Sequence, residues 1–263
     1  MAMTKKLWNI FLLMTLCLLP VSAPAAVSST LWNTVKTQHF IIYYQDASRD
    51  FISNLSDMSE RYYNSIVDEL GFRRMDFWSW DNRARIYMYS DSYEFQRESN
   101  RKDWAGAVVF VHNRTIKSYV GQPEFLDSIL PHEMTHVIFR EFVGLDKVLP
   151  LCIDEGVACS QEKSHLDSRL RYARSMVAQG QSADFNSFFR IYTPDNIEPR
   201  AFYAQSASII VFLIRNYGKE RFLNFSRKLR DGCDCVSALT SVYKFAGLED
   251  MESLWKKNIL NRQ

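Results

Sequence analysis

The chain has 263 residues, of which 47% are hydrophobic and 24% are charged, the composition of an ordinary soluble globular protein. Lysine and arginine total 32 and aspartate and glutamate total 30, so charge gives no support for a nucleic-acid or anionic-membrane partner. The densest basic cluster, Arg169, Arg171 and Arg174, is expected on a solvated helix face. The length suits one domain, or one domain built as two lobes.

The first 25 residues predict an export signal. Lys5 and Lys6 form a basic start, residues 7–21 are mostly apolar, and residues 23–25 (Ala-Pro-Ala) offer a small-residue cleavage site. The apolar run is too short to favour a transmembrane helix, although an uncleaved anchor is the alternative. We therefore expect the mature protein to be periplasmic or secreted, with no membrane span.

The mature chain opens with strand and helix signals. Residues 38–44 are aromatic and β-branched and predict a strand, and residues 50–70 predict an amphipathic helix that ends at Gly71. Further strands are predicted at residues 84–89, 106–111 and 115–120, the last two joined by a hairpin turn at His112-Asn113-Arg114.

From Gln122 onward the pattern is helical. Apolar residues recur near 3.6 spacing up to Phe142, and Pro131 either kinks one helix or starts a new one at its first position. After a connection over residues 144–150, a short helix is expected to begin near Asp154. Further helices are predicted at residues 165–179, 203–217, 220–230, 235–245 and 248–260.

The segment His132-Glu133-Met134-Thr135-His136 carries the strongest chemical signal. Two histidines four residues apart on a helix project from one face, so both can offer a nitrogen to the same metal ion. Glu133 lies beside them, where it can reach a water molecule on that metal and act as a base. The alternative is a helix with two surface histidines that have no function.

A third metal ligand is expected in the following segment. A hydrolytic zinc site usually takes three protein ligands and leaves a fourth position for water. Glu155 opens a small-residue helix, and eighteen residues separate it from His136, which is room for a loop and a return alongside the first helix. Gly156 and Ala158 would let these two helices approach closely. The alternative for Glu155 is a helix-start carboxylate favoured by the helix dipole.

These spacings predict one zinc ion per chain, held by His132, His136 and Glu155. The remaining histidines, His39, His112 and His165, have no partner at ligand spacing, and each is expected to be a surface or capping residue. A group of aromatic residues is expected to belong to the core: Phe77, Trp78, Trp80, Tyr87 and Tyr89.

Four cysteines would remain after signal cleavage. An even number in an oxidising compartment favours disulfides. Cys233 and Cys235 are separated by one residue, so a bridge between them would be strained. We therefore expect two bridges that join Cys152 and Cys159 to Cys233 and Cys235. A structural zinc site is the alternative, but the paired two-residue spacings of such sites are absent.

The histidine pair, the eighteen-residue gap and the Glu-Gly-x-Ala segment resemble the gluzincin metallopeptidases, and most closely the peptidase MA-like branch related to the zinc aminopeptidases. The resemblance covers residues 38–260 in layout. It implies that His132, His136 and Glu155 bind zinc and that Glu133 is the base. A third match, residues 202–207 (Phe-Tyr-Ala-Gln-Ser-Ala), implies that Tyr203 stabilises the oxyanion, the alternative being a core tyrosine.

Two features depart from these relatives. Relatives commonly have a tryptophan three residues before the third ligand, where this chain has Cys152. The Gly-x-Met-Glu-Asn segment by which zinc aminopeptidases grip the substrate amino terminus is missing, and Trp104-Ala105-Gly106-Ala107 lies in the comparable strand region. The sequence therefore does not favour aminopeptidase specificity, although this strand could pair with an extended peptide.

Together these features predict an α+β, zincin-like fold. One peptidase domain over residues 26–263 follows the signal peptide at residues 1–25. A mixed sheet and the active-site helix form a lobe at residues 26–146, and residues 147–263 form a helical lobe. The predicted function is an exported zinc peptidase that acts on peptide or protein substrates. The alternatives are a non-catalytic, zinc-stabilised binding or assembly factor outside the cytoplasm, and an enzyme that cuts an amide in a cell-wall peptide.

Overall fold

One mixed sheet organises the first half of the protein, for which a computed structural model describes residues 31–72, 78–99 and 106–261. The predicted signal peptide therefore lies outside the described residues, as do Phe77 and Trp104. The sheet has the strand order β1-β2-β3-β5-β4. Its strands are β1 (Asn33–Lys36), β2 (Phe40–Tyr44), β3 (Ala84–Tyr89), β4 (Val108–Phe110) and β5 (Thr115–Tyr119).

The register of the sheet places an apolar row against the core. The central strands β2, β3 and β5 run parallel, whereas the edge strands β1 and β4 are antiparallel to their neighbours. Alternate residues of a strand point to opposite faces, so residues in register share a face. The row that packs against the core is Val35, Ile42, Ile86, Ile116 and Val109.

Two helices cover this apolar face. Helix α1 (Arg49–Glu69) begins at Ser48, whose hydroxyl accepts a hydrogen bond from the Phe51 amide at 3.2 Å. A short helix α2 (Ser92–Ser99) follows β3, but its Phe95 packs in a separate cluster with Tyr89 and Val108, so the second helix on the apolar face is the next one. Helix α3 (Leu130–Val143) starts directly after a π-helical turn at Phe125–Ile129 and has Pro131 in its first turn, where a missing N–H costs no helical hydrogen bond.

The second half of the protein is helical. Helix α4 packs along both α3 and α7, and α7 is buried over most of its length. The seven helices described after α3 are α4 (Leu151–Ser160), α5 (Lys163–Ala178), α6 (Phe185–Phe188), α7 (Pro199–Tyr217), α8 (Lys219–Arg230), α9 (Cys235–Tyr243) and α10 (Leu248–Asn261). Residues from Trp32 onward form one compact unit. Among the described helices none is long and apolar enough to cross a membrane.

The predicted α+β class is confirmed by the sheet and helices, but several details differ. Gly156 allows close approach of α4 to α7 rather than to α3, because a Cβ atom there would lie 2.6 Å from the Ser206 carbonyl oxygen. Trp80 is 80% exposed and not part of the core, whereas Trp78 is fully buried. His39 is 5% exposed, stacks on Tyr63 and is neither a surface nor a capping residue. The two-lobe division stays a prediction.

The predicted disulfide pattern is wrong. The four cysteines that follow the predicted signal peptide all lie in the described part of the chain, and all four are free. Cys159 points toward the histidines of α3, and its sulfur lies 4.0 Å from His132 Nδ1. Cys152 is buried in the main core, where burial raises the pKa of its thiol well above the ordinary value. The pairing failed because it used only residue counts and spacing, which do not report the direction in which each side chain points.

Candidate metal centre

Helices α3 and α4 bring the three predicted ligands together. His132 and His136 lie one helical turn apart on α3, and their Nε2 atoms are 3.1 Å from each other. Glu155 on α4 places its Oε2 atom 3.5 Å from His132 Nε2 and 3.6 Å from His136 Nε2. Two nitrogen atoms and one oxygen atom therefore converge on one point.

The spacing of these atoms suits a zinc ion. Donors bound to one zinc at about 2.0–2.1 Å in a tetrahedron stand about 3.3 Å apart, close to the three measured separations. His132 Nδ1 lies 2.7 Å from Glu162 Oε1, and His136 Nδ1 lies 3.3 Å from Asp154 Oδ1. Once each imidazole is neutral, these carboxylates favour its remaining proton on Nδ1, which leaves both Nε2 lone pairs for a metal ion.

An open cavity lies beside the converging atoms. Its volume is about 240 Å³, and His132, Glu133 and Tyr203 all contribute to its lining. Tyr203 projects from the second turn of α7, and its hydroxyl makes no hydrogen bond to any residue that the structure describes. Burial, and then the charge of Glu155, raise the pKa of this phenol above its usual value, so it stays a hydrogen-bond donor at neutral pH. The two catalytic residues predicted from the sequence therefore line one cavity.

The family was established by comparison with known proteins. The family model of the peptidase MA superfamily matches residues 80–261, which include α3, α4 and α7. This chain belongs to the peptidase MA superfamily. Its members are peptidases and are typically metal-dependent, so a peptide or protein is the substrate class of this peptidase. A search of the curated proteins found no match.

The peptidase supports each histidine with a carboxylate that is itself held by arginine. Glu162 immediately precedes α5, its side chain is only 4% exposed, and it accepts a hydrogen bond from Arg169 Nη2 at 2.6 Å. Ser128 Oγ donates to the same carboxylate at 2.9 Å. Asp154 lies 2.9 Å from Arg140 Nη2. Carboxylates in this position orient a metal-binding imidazole and fix its tautomer.

The electrostatics of this cluster favour positive charge between the histidines. Burial raises the pKa of Glu155, but hydrogen bonds to both histidines outweigh it and hold the pKa well below its usual range. Burial also raises the pKa of Glu162, but its hydrogen bond to His132 and the charges of His132 and Arg169 hold this pKa at about 2. Burial lowers the pKa of His136, but the charge of Asp154 and hydrogen bonds to Asp154 and Glu155 raise it to about 10. The carboxylates stay ionised and attract a cation.

Sequence reasoning missed several residues of this centre. Asp154 lies in the first turn of the largely apolar α4 and Glu162 lies just after its end, and acidic residues in so apolar a segment were the only signal that could have found them. Arg169 binds Glu162 and is not on a solvated helix face. His165 is not a simple surface residue, because its Nδ1 atom lies 3.0 Å from Ser128 Oγ and 3.4 Å from Glu162 Oε2. His112, in contrast, is exposed as predicted.

Proposed function

We propose that the protein is an exported, zinc-dependent peptidase of zincin-like fold in which His132, His136 and Glu155 hold the metal. One observation carries this proposal. The Nε2 atoms of both histidines and a carboxylate oxygen of Glu155 lie within 3.1–3.6 Å of one another, beside a cavity that contains Glu133 and Tyr203. Export rests on the N-terminal sequence alone.

A bound zinc would supply Lewis acidity and lower the pKa of water in its fourth position to about 7. Glu133 would accept the proton of the attacking water and deliver it to the leaving amine. Tyr203 would donate a hydrogen bond to the oxygen on which negative charge develops. Glu162 and Asp154 would keep the two imidazoles oriented throughout, so that the protein need not reorganise during the reaction.

The edge strand β4 supports recognition of an extended substrate. Among the described residues β4 pairs with β5 along one side and has no strand on its other side, and it packs beside α3. A peptide can add to such an edge through main-chain hydrogen bonds. We propose that the substrate lies along β4 with its scissile bond at the cavity near His132. The Gly106 end of the segment that begins at Trp104 leads directly into this strand.

The test is cleavage of a mixed peptide library, followed by mass spectrometry. We expect the protein to produce fragments, a chelator to stop it, and added zinc to restore it. Glu133→Gln keeps the shape of the side chain but removes the base, so it should retain zinc and lose about 10²- to 10⁴-fold in rate. Glu220→Gln, an exposed change on α8, is the matched control and should cleave like the parent.

The same experiment separates the enzyme from its alternatives. A non-catalytic binding factor would hold zinc but give no fragments that depend on Glu133. An enzyme restricted to cell-wall amides would cut cell-wall peptides and leave the library intact. Cleavage by Glu133→Gln at the parent rate would show that this residue is not the base.

A further inference from the structure

A second cavity lies where α10 packs against α5 and α7. Its volume is about 330 Å³. On α5, Leu170 and Arg171 precede Arg174 by four and three residues, and on α7, Val211 and Phe212 precede Arg215 in the same way. Residues three and four apart share one face of a helix. Each helix therefore presents one stripe to this cavity, which we call the arginine groove.

The floor of the arginine groove is apolar, and the polar atoms beside it already have hydrogen-bond partners within the protein. Phe212, Trp255 and Ile259 form it and are almost fully buried. The Trp255 indole N–H donates to Ser208 Oγ at 3.1 Å, and that hydroxyl donates to the Gln205 carbonyl oxygen at 2.7 Å. Because these polar atoms already have partners, the floor suits the apolar part of a ligand.

The rim of the groove is positively charged. Three guanidinium groups line it, those of Arg171, Arg174 and Arg215, against one carboxylate, that of Asp167. Arg171 and Arg215 are exposed, and neither forms an ion pair with any residue in the described ranges. A guanidinium group presents a planar fork of donors that matches a carboxylate. The rim therefore suits the anionic end of a ligand.

The arginine groove is separate from the metal centre. Successive residues of a helix are about 100° apart around its axis, which places Arg169 about 150° from the stripe on α5. Arg169 and Tyr203 line the cavity at His132, and neither lines the groove. Helices α5 and α7 thus present different faces to the two cavities, and a ligand in the groove does not occupy the metal centre.

We propose that the arginine groove binds a small apolar molecule that carries a carboxylate. The apolar body would lie over Phe212 and Trp255, and the carboxylate would lie between Arg171 and Arg215 at the rim. A volume of about 330 Å³ is at the lower end of the range for ligand pockets, about 300–1,000 Å³. Two molecules share this chemistry, a medium-chain fatty acid and the C-terminal residue of a peptide that ends in an apolar side chain.

Calorimetric titration of the purified zinc-loaded protein distinguishes these sources. The probes are decanoate and N-acetyl-leucyl-phenylalanine, and their uncharged counterparts are 1-decanol and the dipeptide amide. We expect at least one carboxylate probe to bind saturably at one site, and its uncharged counterpart to bind about tenfold or more weakly. Binding of decanoate alone identifies a fatty acid, binding of the dipeptide alone identifies a peptide C-terminus, and binding of both identifies the shared chemistry.

Variants of the rim locate the site. The double variant Arg171→Gln and Arg215→Gln should bind the probe with an affinity lower by about tenfold or more. Zinc content and peptide cleavage should remain at parent levels, because neither arginine touches the metal centre. Arg49→Gln at the start of α1 is an exposed change of the same charge and should have no effect. If the double variant does not fold, each single variant should show a smaller loss of the same kind.

Three results would overturn the proposal. These are a lack of saturable binding by both carboxylate probes, parent-like binding of the probe by the rim variants, and binding of the uncharged probes as tight as that of the charged ones. None of these results bears on the metal centre, since the cleavage assay of the parent protein tests that site independently.

Discussion

The two cavities beside α5 and α7 differ in charge. Two carboxylates and one arginine line the cavity at the metal centre, and two further carboxylates and one further arginine lie around its histidines, whereas three arginines and one carboxylate line the arginine groove. The volumes of the two cavities are similar, about 240 and 330 Å³. Charge rather than size therefore distinguishes them, and it indicates a cation at one and an anion at the other. The acidic set consists of Glu133, Asp154, Glu155 and Glu162.

Removing the Tyr203 hydroxyl should have the largest effect on activity among the changes that leave the charge of the metal centre unchanged. Tyr203→Phe deletes one hydroxyl that makes no hydrogen bond within the described structure, so the packing of α7 should survive. An oxyanion donor acts in the transition state, so kcat should fall by about 10²-fold or more while KM changes little. Steady-state kinetics test this, with zinc content and melting temperature as controls. Full activity with lower stability would show that Tyr203 is a core residue.

Removing charge from the acidic cavity should weaken zinc binding. Glu162→Gln keeps the shape of the side chain that orients His132 but neutralises it, and loss of such a partner typically costs about 10- to 100-fold in metal affinity. Competition with a chromophoric chelator measures the affinity.

The matched control for this change lies on the other side of α5. Asp167→Asn removes the same charge from the arginine groove and should leave zinc affinity unchanged. Equal losses in both variants would mean that overall charge, and not contact with His132, sets the affinity for zinc.

Adding a methyl group at the contact between α4 and α7 should have the smallest effect on catalysis, and it should lower stability instead. In Gly156→Ala the new methyl group would lie 2.6 Å from the Ser206 carbonyl oxygen and 2.8 Å from Ile210 Cγ1. Overpacking of this kind costs about 1–3 kcal/mol, more than the roughly 1 kcal/mol that alanine adds as a helix former. Urea denaturation measures the change.

A second glycine provides the control for this substitution. In Gly247→Ala the added methyl group would meet only the Glu249 carboxylate, at 3.1 Å, and alanine would replace glycine at the start of α10, so the loss of stability should be smaller than in Gly156→Ala. If Gly156→Ala were as stable as the parent, the separation of α4 and α7 would not depend on this glycine.

The sequence predicted the parts of the fold that have strong local signals. β3 matches its predicted range, and α8 begins one residue earlier than predicted, because alternation, helical spacing and terminal glycines mark them clearly. The edge strand β1 was missed because Asn33, Thr34 and Lys36 give it no apolar alternation. The short α2 and α6 were missed because so few turns carry little periodicity.

The residues of the candidate site also divide into those with a local sequence signal and those without one. His132, Glu133 and His136 form one local motif and could be predicted from spacing, and Glu155 could be added because a third ligand was required. Glu162 and Arg169 could not, since they reach the site only through the packing of α5 against α7 and against the π-helical turn before α3. Side-chain partners that depend on tertiary contacts leave no regular spacing in the sequence.

Zinc stoichiometry tests the central claim most directly. The protein, stripped of metal and titrated with zinc, should bind one equivalent per chain. Glu155→Gln should lose most of this affinity, because it replaces a charged ligand and leaves two histidines. Failure of the parent protein to take up zinc, or tight binding of one equivalent by Glu155→Gln, would contradict the assignment of His132, His136 and Glu155 as the metal ligands.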